Sequence, residues 1–347
     1  MIPYWLFFFV PVVAFLYPGR SAPQTQRFFI ISIGFFFSAV IGLRYGVGGD
    51  WGNYLVHLRR VSSFTFFEAL QHGDPGYYLL NWLAARSGLG IYLVNFVCAI
   101  AVMTGVVRFA LRQPVPWIAL FVAVPYLLIV VAMGYTRQSA ALGFLFIGLA
   151  ALSDGKYRTF VFWIVLGATF HKSVVIMLPL AALTSDSRRL WNFLWVGVIS
   201  LLAAYFFVFD SADTLWENYV EAEYESQGGL IRVTMNAMPA ILFLAFRRRF
   251  HLAPMEERLW MWISVFSLFC IPLVLISSTA TDRVALYLIP LQLLVFSRLH
   301  LISSDGMVRA FIVVAIIAYY GLVQFVWLNF ASHAHAWLPY QMYPFAS

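Results

Sequence analysis

The chain is poor in charge. Only 11% of its 347 residues are Asp, Glu, Lys or Arg, whereas 62% are hydrophobic and the mean hydropathy is +0.83. A soluble domain of this size could not bury so much apolar surface, because the fraction of surface that folding buries is limited by size. Apolar runs of about twenty residues, long enough to cross a bilayer as a helix, recur along the chain. The sequence therefore predicts an all-α, polytopic integral membrane protein.

Cysteines and cofactor motifs are also scarce. Cys98 and Cys270 both lie in apolar segments, where a free thiol behaves as a small hydrophobic group, so we expect neither a disulfide nor a metal site. The chain has no Walker-type phosphate loop, HExxH motif, GxSxG elbow or Asp-x-Asp pair. These absences argue against an enzyme that uses a cytoplasmic nucleotide, and we expect no cofactor. The net charge of +7 reflects loop arginines that set membrane orientation rather than nucleic-acid binding.

Ten apolar segments are candidate membrane spans. They are Ile2–Tyr17, Phe28–Leu43, Ile91–Val107, Trp117–Gly134, Ser139–Leu152, Leu190–Phe209, Ile231–Phe246, Leu259–Ser277, Val284–Phe296 and Val308–Leu328. Basic residues in short loops prefer the cytoplasmic side, which places both ends of residues 159–183 in the cytoplasm. We therefore expect about ten full spans and one re-entrant helical hairpin at residues 159–183, with His171 near its tip. All of these belong to a single transmembrane domain, residues 1–347.

The same orientation places a set of polar side chains on the outer side of the membrane. The set is Arg44, Asp50, Asp74, Arg137, His171, Arg232 and Arg283. Residues 44–90 carry scattered charges among apolar residues, which predicts short amphipathic helices on the outer surface. Residues 210–230 form an acidic outer loop, typical of a solvated segment, although its carboxylates could hold a divalent cation. Because charges at the membrane edge are usually functional, we expect a polar site at the outer mouth.

The densest motif in this set is RYGVGGDWGNY, residues 44–54. Its glycines permit backbone angles that other residues avoid and allow a ligand to approach closely. Arg44 can make a forked contact with a phosphate, and Asp50 can act as a general base on a sugar hydroxyl. The alternative is structural: Arg44 extends to the membrane interface, and Asp50 caps the helix that follows.

The other outer residues also have two interpretations each. Asp74 is placed to begin a helix as its N-cap, and it can also contact a substrate. Arg137 and Gln138 can anchor the end of a span or bind an anion. Histidine is the side chain whose ordinary titration range lies near neutral pH, so His171 can take part in chemistry or serve as a buried hydrogen-bonding group.

In their order along the chain, these motifs resemble the EpsG-type polysaccharide polymerase family, which groups with the Wzy-like O-antigen polymerases. The elements that carry the resemblance are Arg44, Gly48, Asp50 and Tyr54, then Asp74 with Gly76 and Tyr77, Arg137 with Gln138, His171 with Ser173, and Arg283 with Tyr287. The last two lie one helical turn apart and so on one face. The resemblance covers residues 1–299 and departs at Asp74, where many relatives have glutamate.

The resemblance implies a metal- and nucleotide-independent glycosyltransferase of the bacterial inner membrane. Such a polymerase moves a growing chain from one undecaprenyl pyrophosphate to the sugar of another lipid-linked repeat unit, at the periplasmic face. The product is O-antigen, capsule or exopolysaccharide. Asp50, or alternatively His171, would activate the acceptor hydroxyl, and the substrate-binding residues would be Arg44, Arg137, Gln138, Arg283, Tyr287, Tyr54, Asp74 and Arg232. The expected partners are the lipid-linked substrates, membrane lipids and a chain-length regulator protein.

Two other functions stay open. A glycosyltransferase that uses a polyprenyl monophosphate sugar would need the same orientation and similar arginines. A flippase or transporter of lipid-linked oligosaccharides would carry charges through the membrane depth and repeat symmetry between its halves. The sequence shows neither feature, since apart from His171 and Lys172 the ionisable residues gather at the two edges.

Overall fold

The computed structural model consists of helices joined by short turns. It describes residues 1–17, 22–185, 194, 196–199, 201–202 and 228–346. The main helices are α1 (Ile2–Leu16), α2 (Pro23–Gly42), α3 (Trp51–Ser62), α4 (Phe66–Gln71), α5 (Pro75–Ser87), α6 (Gly90–Ala110), α7 (Pro116–Gly134), α8 (Thr136–Ser153), α9 (Tyr157–Ala168), α10 (Leu180–Leu183), α11 (Gly229–Phe246), α12 (Pro254–Ile276), α13 (Ser278–Ala285), α14 (Pro290–Leu299) and α15 (Gly306–Phe330). No β-strand occurs in these residues, which contain one isolated bridge between Arg44 and Met342. The all-α prediction is confirmed.

Within the described ranges, six helices are long and apolar enough to cross a membrane. They are α2, α6, α7, α11 with its extension to Phe250, α12 and α15. A seventh span results if the pair Ser278–Leu288 and Pro290–Ile302, bent by 49°, is counted as one. The chain is thus a multi-pass membrane protein, but the predicted count of about ten spans is not confirmed. The candidate span at residues 190–209 lies mostly outside the described residues, and α1 has only 15 residues.

Prolines mark where several helices begin. One occupies the first or second position of α1, α2, α5, α7, α12 and α14. Proline suits this position because the first helical turn needs no backbone N–H donor there. Pro125 lies inside α7 instead, and residues Val124–Val131 are wound as a π-helix. This winding is consistent with the hydrogen bond that an internal proline removes.

The first of two compact units comprises Met1–Phe144, Thr169–His171 and Phe311–Ser347. In it α2 packs along α6, α1 packs on α7, and the short helices α3 and α4 pack against α5. These three short helices occupy residues 44–90, as predicted, and share a buried apolar core that includes Val61 and Ala84. Their location on the membrane surface stays a prediction.

The C-terminal segment, residues 331–346, folds back over the glycine-rich loop at residues 44–50. The backbone N–H of Gly48 donates to the carbonyl of Ala336 at 2.8 Å, and that of Tyr45 donates to Gln341 at 3.0 Å. The Trp337 indole donates to the carbonyl of Ile129, in the π-helical stretch, at 2.9 Å. The loop is therefore held by chain that lies almost 300 residues away in the sequence.

The second unit comprises Leu145–Ala168 and Lys172–Ala310. Here α11 packs against α12, α13 and α14, and α9 packs against a 3-10 helix at Lys172–Met177. Residues 159–183 are thus two short helical arms, and the helix is broken at residues 169–171, where the sequence predicted a hairpin tip. Re-entry of this hairpin into the membrane stays a prediction, as does a single domain over residues 1–347.

A close approach of α6 to α8 in the first unit provides a test of the packing. A Cβ atom on Gly105 of α6 would overlap the carbonyl group of Gly143 of α8, whereas one on Gly306 would meet open space. We expect Gly105→Ala to destabilise the protein by about 1–3 kcal/mol, since the backbones must move apart. Scanning fluorimetry in detergent would measure this as a lower unfolding temperature, with Gly306→Ala as the matched control. Equal unfolding temperatures for the two variants would contradict the close contact.

Candidate functional site

Three predicted site residues come together in the first unit. Nη1 of Arg137 donates to Oδ2 of Asp74 at 3.1 Å, and Nδ1 of His171 lies 3.9 Å from the same oxygen. The side chain of Asp74 is 5% exposed, whereas that of Arg137 is 31% exposed. Gln138, the next residue of α8, is buried. The carboxylate therefore holds an arginine that keeps part of its surface accessible to an anion.

The first turn of α5 positions this cluster. Asp74 occupies the N-cap position, but its side chain makes no capping hydrogen bond, so the interpretation of Asp74 as only a helix cap is wrong. The carbonyl of Thr169 accepts instead from the N–H groups of Gly76 and Tyr77, at 2.9 and 3.2 Å. A Cβ atom on Gly76 would overlap the Thr169 hydroxyl, so glycine allows this approach. These contacts hold residues 169–171 against α5 and so place His171 beside the Asp74 carboxylate.

Two buried tyrosines lie beside the cluster. The guanidinium carbon of Arg137 lies 5.6 Å from the ring centroid of Tyr77, and the rings of Tyr77 and Tyr54 are 6.1 Å apart. The pKa of Tyr54 is raised to about 12, first by burial and then by the charge of Asp50, while Arg137 and Arg44 oppose this rise. The charges of Asp50 and Arg137 therefore both act on one hydroxyl.

Asp50 keeps an accessible carboxylate. It stands at the N-cap position of α3, yet its side chain makes no capping hydrogen bond, so the structural alternative predicted for it is not observed. Its Oδ1 accepts from the side-chain amide of Asn53 at 3.4 Å, a long contact on the surface. Asp50 is half-buried and thus able to meet a substrate. Its role as the base stays a prediction.

Arg44 lies fully inside the first unit, with 1% of its surface exposed. Its guanidinium donates to the carbonyls of Val47 and Ile41, at 3.1 and 2.7 Å, and to the side-chain oxygens of Asn95 and Thr136, at 3.3 and 2.7 Å. Burial lowers its pKa to about 10, which leaves it charged at neutral pH. The alternative in which Arg44 extends to the membrane interface is wrong. Its direct contact with a substrate phosphate stays a prediction.

The other predicted residues lie in the second unit. Arg232 donates two hydrogen bonds of 2.6 Å to the two carboxylate oxygens of Asp282. The hydroxyls of Tyr287 and Ser173 are 2.8 Å apart. Arg283 is half-buried on α13, next to Asp282. The second unit thus has polar contacts of its own, and substrate binding by these residues stays a prediction.

His57 of α3 was not among the predicted site residues. Nδ1 of His57 lies 3.0 Å from the hydroxyl of Tyr78, with the tautomer left open by this contact. Asp50, Tyr54 and His57 follow one another at helical spacing, which places them on one face of α3. That spacing was the available signal. The pKa of His57 is lowered, first by burial and then by the charge of Arg137.

The predicted acidic loop, residues 210–230, lies almost entirely outside the described residues. Elsewhere, in the part of the chain that the structure describes, no group of three or more His, Cys, Asp or Glu side chains could hold a metal ion. We take the first-unit cluster around Asp74 as the candidate site, because three predicted residues meet there.

Taken together, the helices and this cluster define a multi-pass membrane protein with a buried carboxylate that holds a partly exposed arginine. The EpsG family model matches residues 27–342, nearly the whole chain. The chain belongs to the EpsG family, as the order of its motifs predicted, and the match extends into the C-terminal segment. Membership supports a role in polysaccharide biosynthesis as a glycosyltransferase-like polymerase. No curated protein and no solved structure matches the chain at a significant level.

The lowered pKa of His57 predicts a pH-dependent stability. The unfolded chain takes up a proton at the ordinary value of 6.5, whereas the folded protein resists protonation. Above this pH, the titration of His57 has no effect on the free energy of unfolding. As the pH is lowered below it, protonation of His57 in the unfolded chain lowers the free energy of unfolding. We expect the unfolding temperature to drop more between about pH 7 and pH 5 in the wild type than in His57→Gln. Parallel pH profiles for the two proteins would show that His57 titrates normally.

Proposed function

We propose that the protein polymerises undecaprenyl-pyrophosphate-linked oligosaccharide repeat units into O-antigen, capsule or exopolysaccharide. The reaction takes place at the periplasmic face of a bacterial inner membrane, with lipid-linked oligosaccharides as the only substrates. One observation carries the proposal: Arg137 is fixed on the buried carboxylate of Asp74, beside His171, and still keeps 31% of its side chain exposed. Family membership is consistent with this chemistry.

The reaction places two demands on the protein. The acceptor hydroxyl oxygen attacks the anomeric carbon of the growing chain, the bond from that carbon to the pyrophosphate breaks, and the electron pair leaves with the pyrophosphate. A cation must stabilise the charge that develops on the leaving group, which is the role we assign to Arg137. A base must take the proton of the acceptor hydroxyl. No nucleotide or metal enters this sequence of steps.

Two residues compete for the role of base. Asp50 is the accessible carboxylate, and its charge acts on the Tyr54 hydroxyl together with that of Arg137. His171 is less exposed, at 12%, but an imidazolium formed there would lie 3.9 Å from the carboxylate of Asp74 and be stabilised by it. We assign the base to Asp50, with His171 as the alternative.

The remaining contacts follow from the same proposal. Gln138 and Tyr54 would hydrogen-bond the substrate beside Arg137. Arg283 and Tyr287, with Arg232, would bind phosphate on the second unit, where Arg232 already shows bidentate geometry toward Asp282.

The membrane arrangement also follows from the proposal. Residues 159–183 would re-enter the membrane from the cytoplasm, and the helices of residues 44–90 would lie on the outer surface, where the lipid tails of the substrate arrive. A chain-length regulator would bind from the same side.

A reconstitution tests the function. Purified protein in liposomes, supplied with lipid-linked repeat units alone, should produce a ladder of longer chains. Arg137→Gln should lower the rate by about 10²–10³, because one donor to the developing charge is lost. Arg86→Gln is the matched control, since Arg86 lies on α5 and donates to the backbone of Phe64, and it should retain the wild-type rate.

Two outcomes would contradict the proposal. Lengthening that required a polyprenyl monophosphate sugar would identify the other class of glycosyltransferase. Movement of intact lipid-linked units across the bilayer without lengthening would identify a flippase.

The assignment of the base has its own test. Asp50→Asn keeps the size and polarity of the side chain and removes its basicity, so we expect a loss of roughly 10²–10⁴ in rate, with single-repeat material accumulating. His171→Gln should lose less. The rates are compared over a range of pH in the same liposomes. If His171→Gln abolished the ladder and Asp50→Asn preserved it, the two roles would be exchanged.

A further inference from the structure

Arg44 is a buried cation whose partners are all neutral. Its four hydrogen bonds reach two backbone carbonyls and two side-chain oxygens, and 1% of its surface is exposed. A buried charge is tolerated only if its donors are satisfied, so these four acceptors are tied to the guanidinium. Because Arg44 is so deeply buried, a substrate phosphate could reach it only if the chain around it moved.

The acceptors come from four different parts of the first unit. The carbonyl of Ile41 belongs to the end of α2, that of Val47 to the glycine-rich loop, and Asn95 to α6. The fourth acceptor, Thr136, is the first residue of α8 and directly precedes Arg137. At 2.7 Å, its bond with Arg44 is among the shortest that Arg44 makes.

The glycine-rich loop also contacts this junction directly. Gly48 has a φ of +106°, and a Cβ atom there would overlap the carbonyl of Met133, two residues before Tyr135. Gly48 therefore contacts the end of α7, and Arg44 contacts the start of α8. Arg137 extends from this junction and donates a hydrogen bond to Asp74.

We propose that Arg44 is a positioning residue that acts on the reaction through Thr136. It fixes the α7–α8 junction that presents Arg137 and does not itself touch the substrate. A lysine could not replace it, because a single ammonium group lacks the planar fork that reaches four separate acceptors. This inference rests on the proposed polymerase function and adds the route by which a buried arginine serves it.

Positioning and direct contact predict different kinetics. If Arg44 acts through Thr136, removing either partner breaks the same interaction, and the second removal adds little. If Arg44 binds phosphate, the two losses are independent and multiply. Direct binding would also raise KM for the lipid-linked substrate, whereas a displaced Arg137 lowers kcat, since its charge matters most in the transition state.

The experiment is a double-mutant cycle in the liposome assay. Arg44→Lys and Thr136→Val should each lower kcat by roughly tenfold to a hundredfold with KM unchanged, and the double variant should be within about twofold of the slower single one. Thr136→Ser, which keeps the hydroxyl, should restore the wild-type rate. In an Arg137→Gln background, Thr136→Val should have no further effect.

Several outcomes overturn the inference. They are multiplied losses in the double variant, a raised KM for Arg44→Lys, or wild-type kinetics for Thr136→Val. If Arg44→Lys fails to fold, as judged by its unfolding temperature, the comparison of Thr136→Val with Thr136→Ser in the two Arg137 backgrounds decides the matter. A wild-type protein that forms no ladder would overturn the proposed function itself, and a ladder with multiplied losses would overturn this inference alone.

Discussion

The charge of Arg44, which has 1% of its surface exposed, constrains much of the first unit. An ionised guanidinium in an apolar interior is stable only while its N–H groups are bonded, so every acceptor around it is held in place. Those acceptors lie on α2, the glycine-rich loop, α6 and α8. The C-terminal segment then bonds to the outside of the same loop, at Tyr45 and Gly48. One desolvated cation therefore connects four separate parts of the chain beside the candidate site.

The neighbouring cluster has a different electrostatic character. In this ion pair the carboxylate of Asp74 is buried, whereas the guanidinium of Arg137 is partly exposed to solvent. This ion pair adds little to the stability of the protein, because water screens the charge of the exposed Arg137. It does, however, orient the Arg137 guanidinium. His171 lies near the same carboxylate because the turn that carries it packs closely on α5. Gly76 allows this close approach. The two arginines therefore differ: Arg44 makes four hydrogen bonds inside the unit, whereas Arg137 keeps part of its guanidinium accessible.

Much of this arrangement could be predicted from the sequence. The remaining features could not be predicted, for physical reasons. The six membrane-length helices of the described residues are among the spans that hydropathy predicts, and motif order and residue type single out Asp74, Arg137 and His171, which meet in the structure. The pair of His57 and Tyr78 was missed, because one histidine among apolar residues carries no signal until its partner on another helix is seen. The fold-back of the C-terminal segment was missed as well, since Trp337 and its neighbours match the composition of any interfacial stretch.

Local sequence alone determined that this is an all-α, multi-pass membrane protein of the EpsG family. Those properties depend on apolar runs and on short motifs, which act through neighbours along the chain. Only the tertiary structure decided which charged groups are buried and satisfied and which remain accessible. Arg44 meets Thr136 across 92 positions and Arg137 meets Asp74 across 63, so both contacts form only after the helices have packed. Burial and hydrogen bonding, which control the chemistry of a charged group, are therefore properties of the fold.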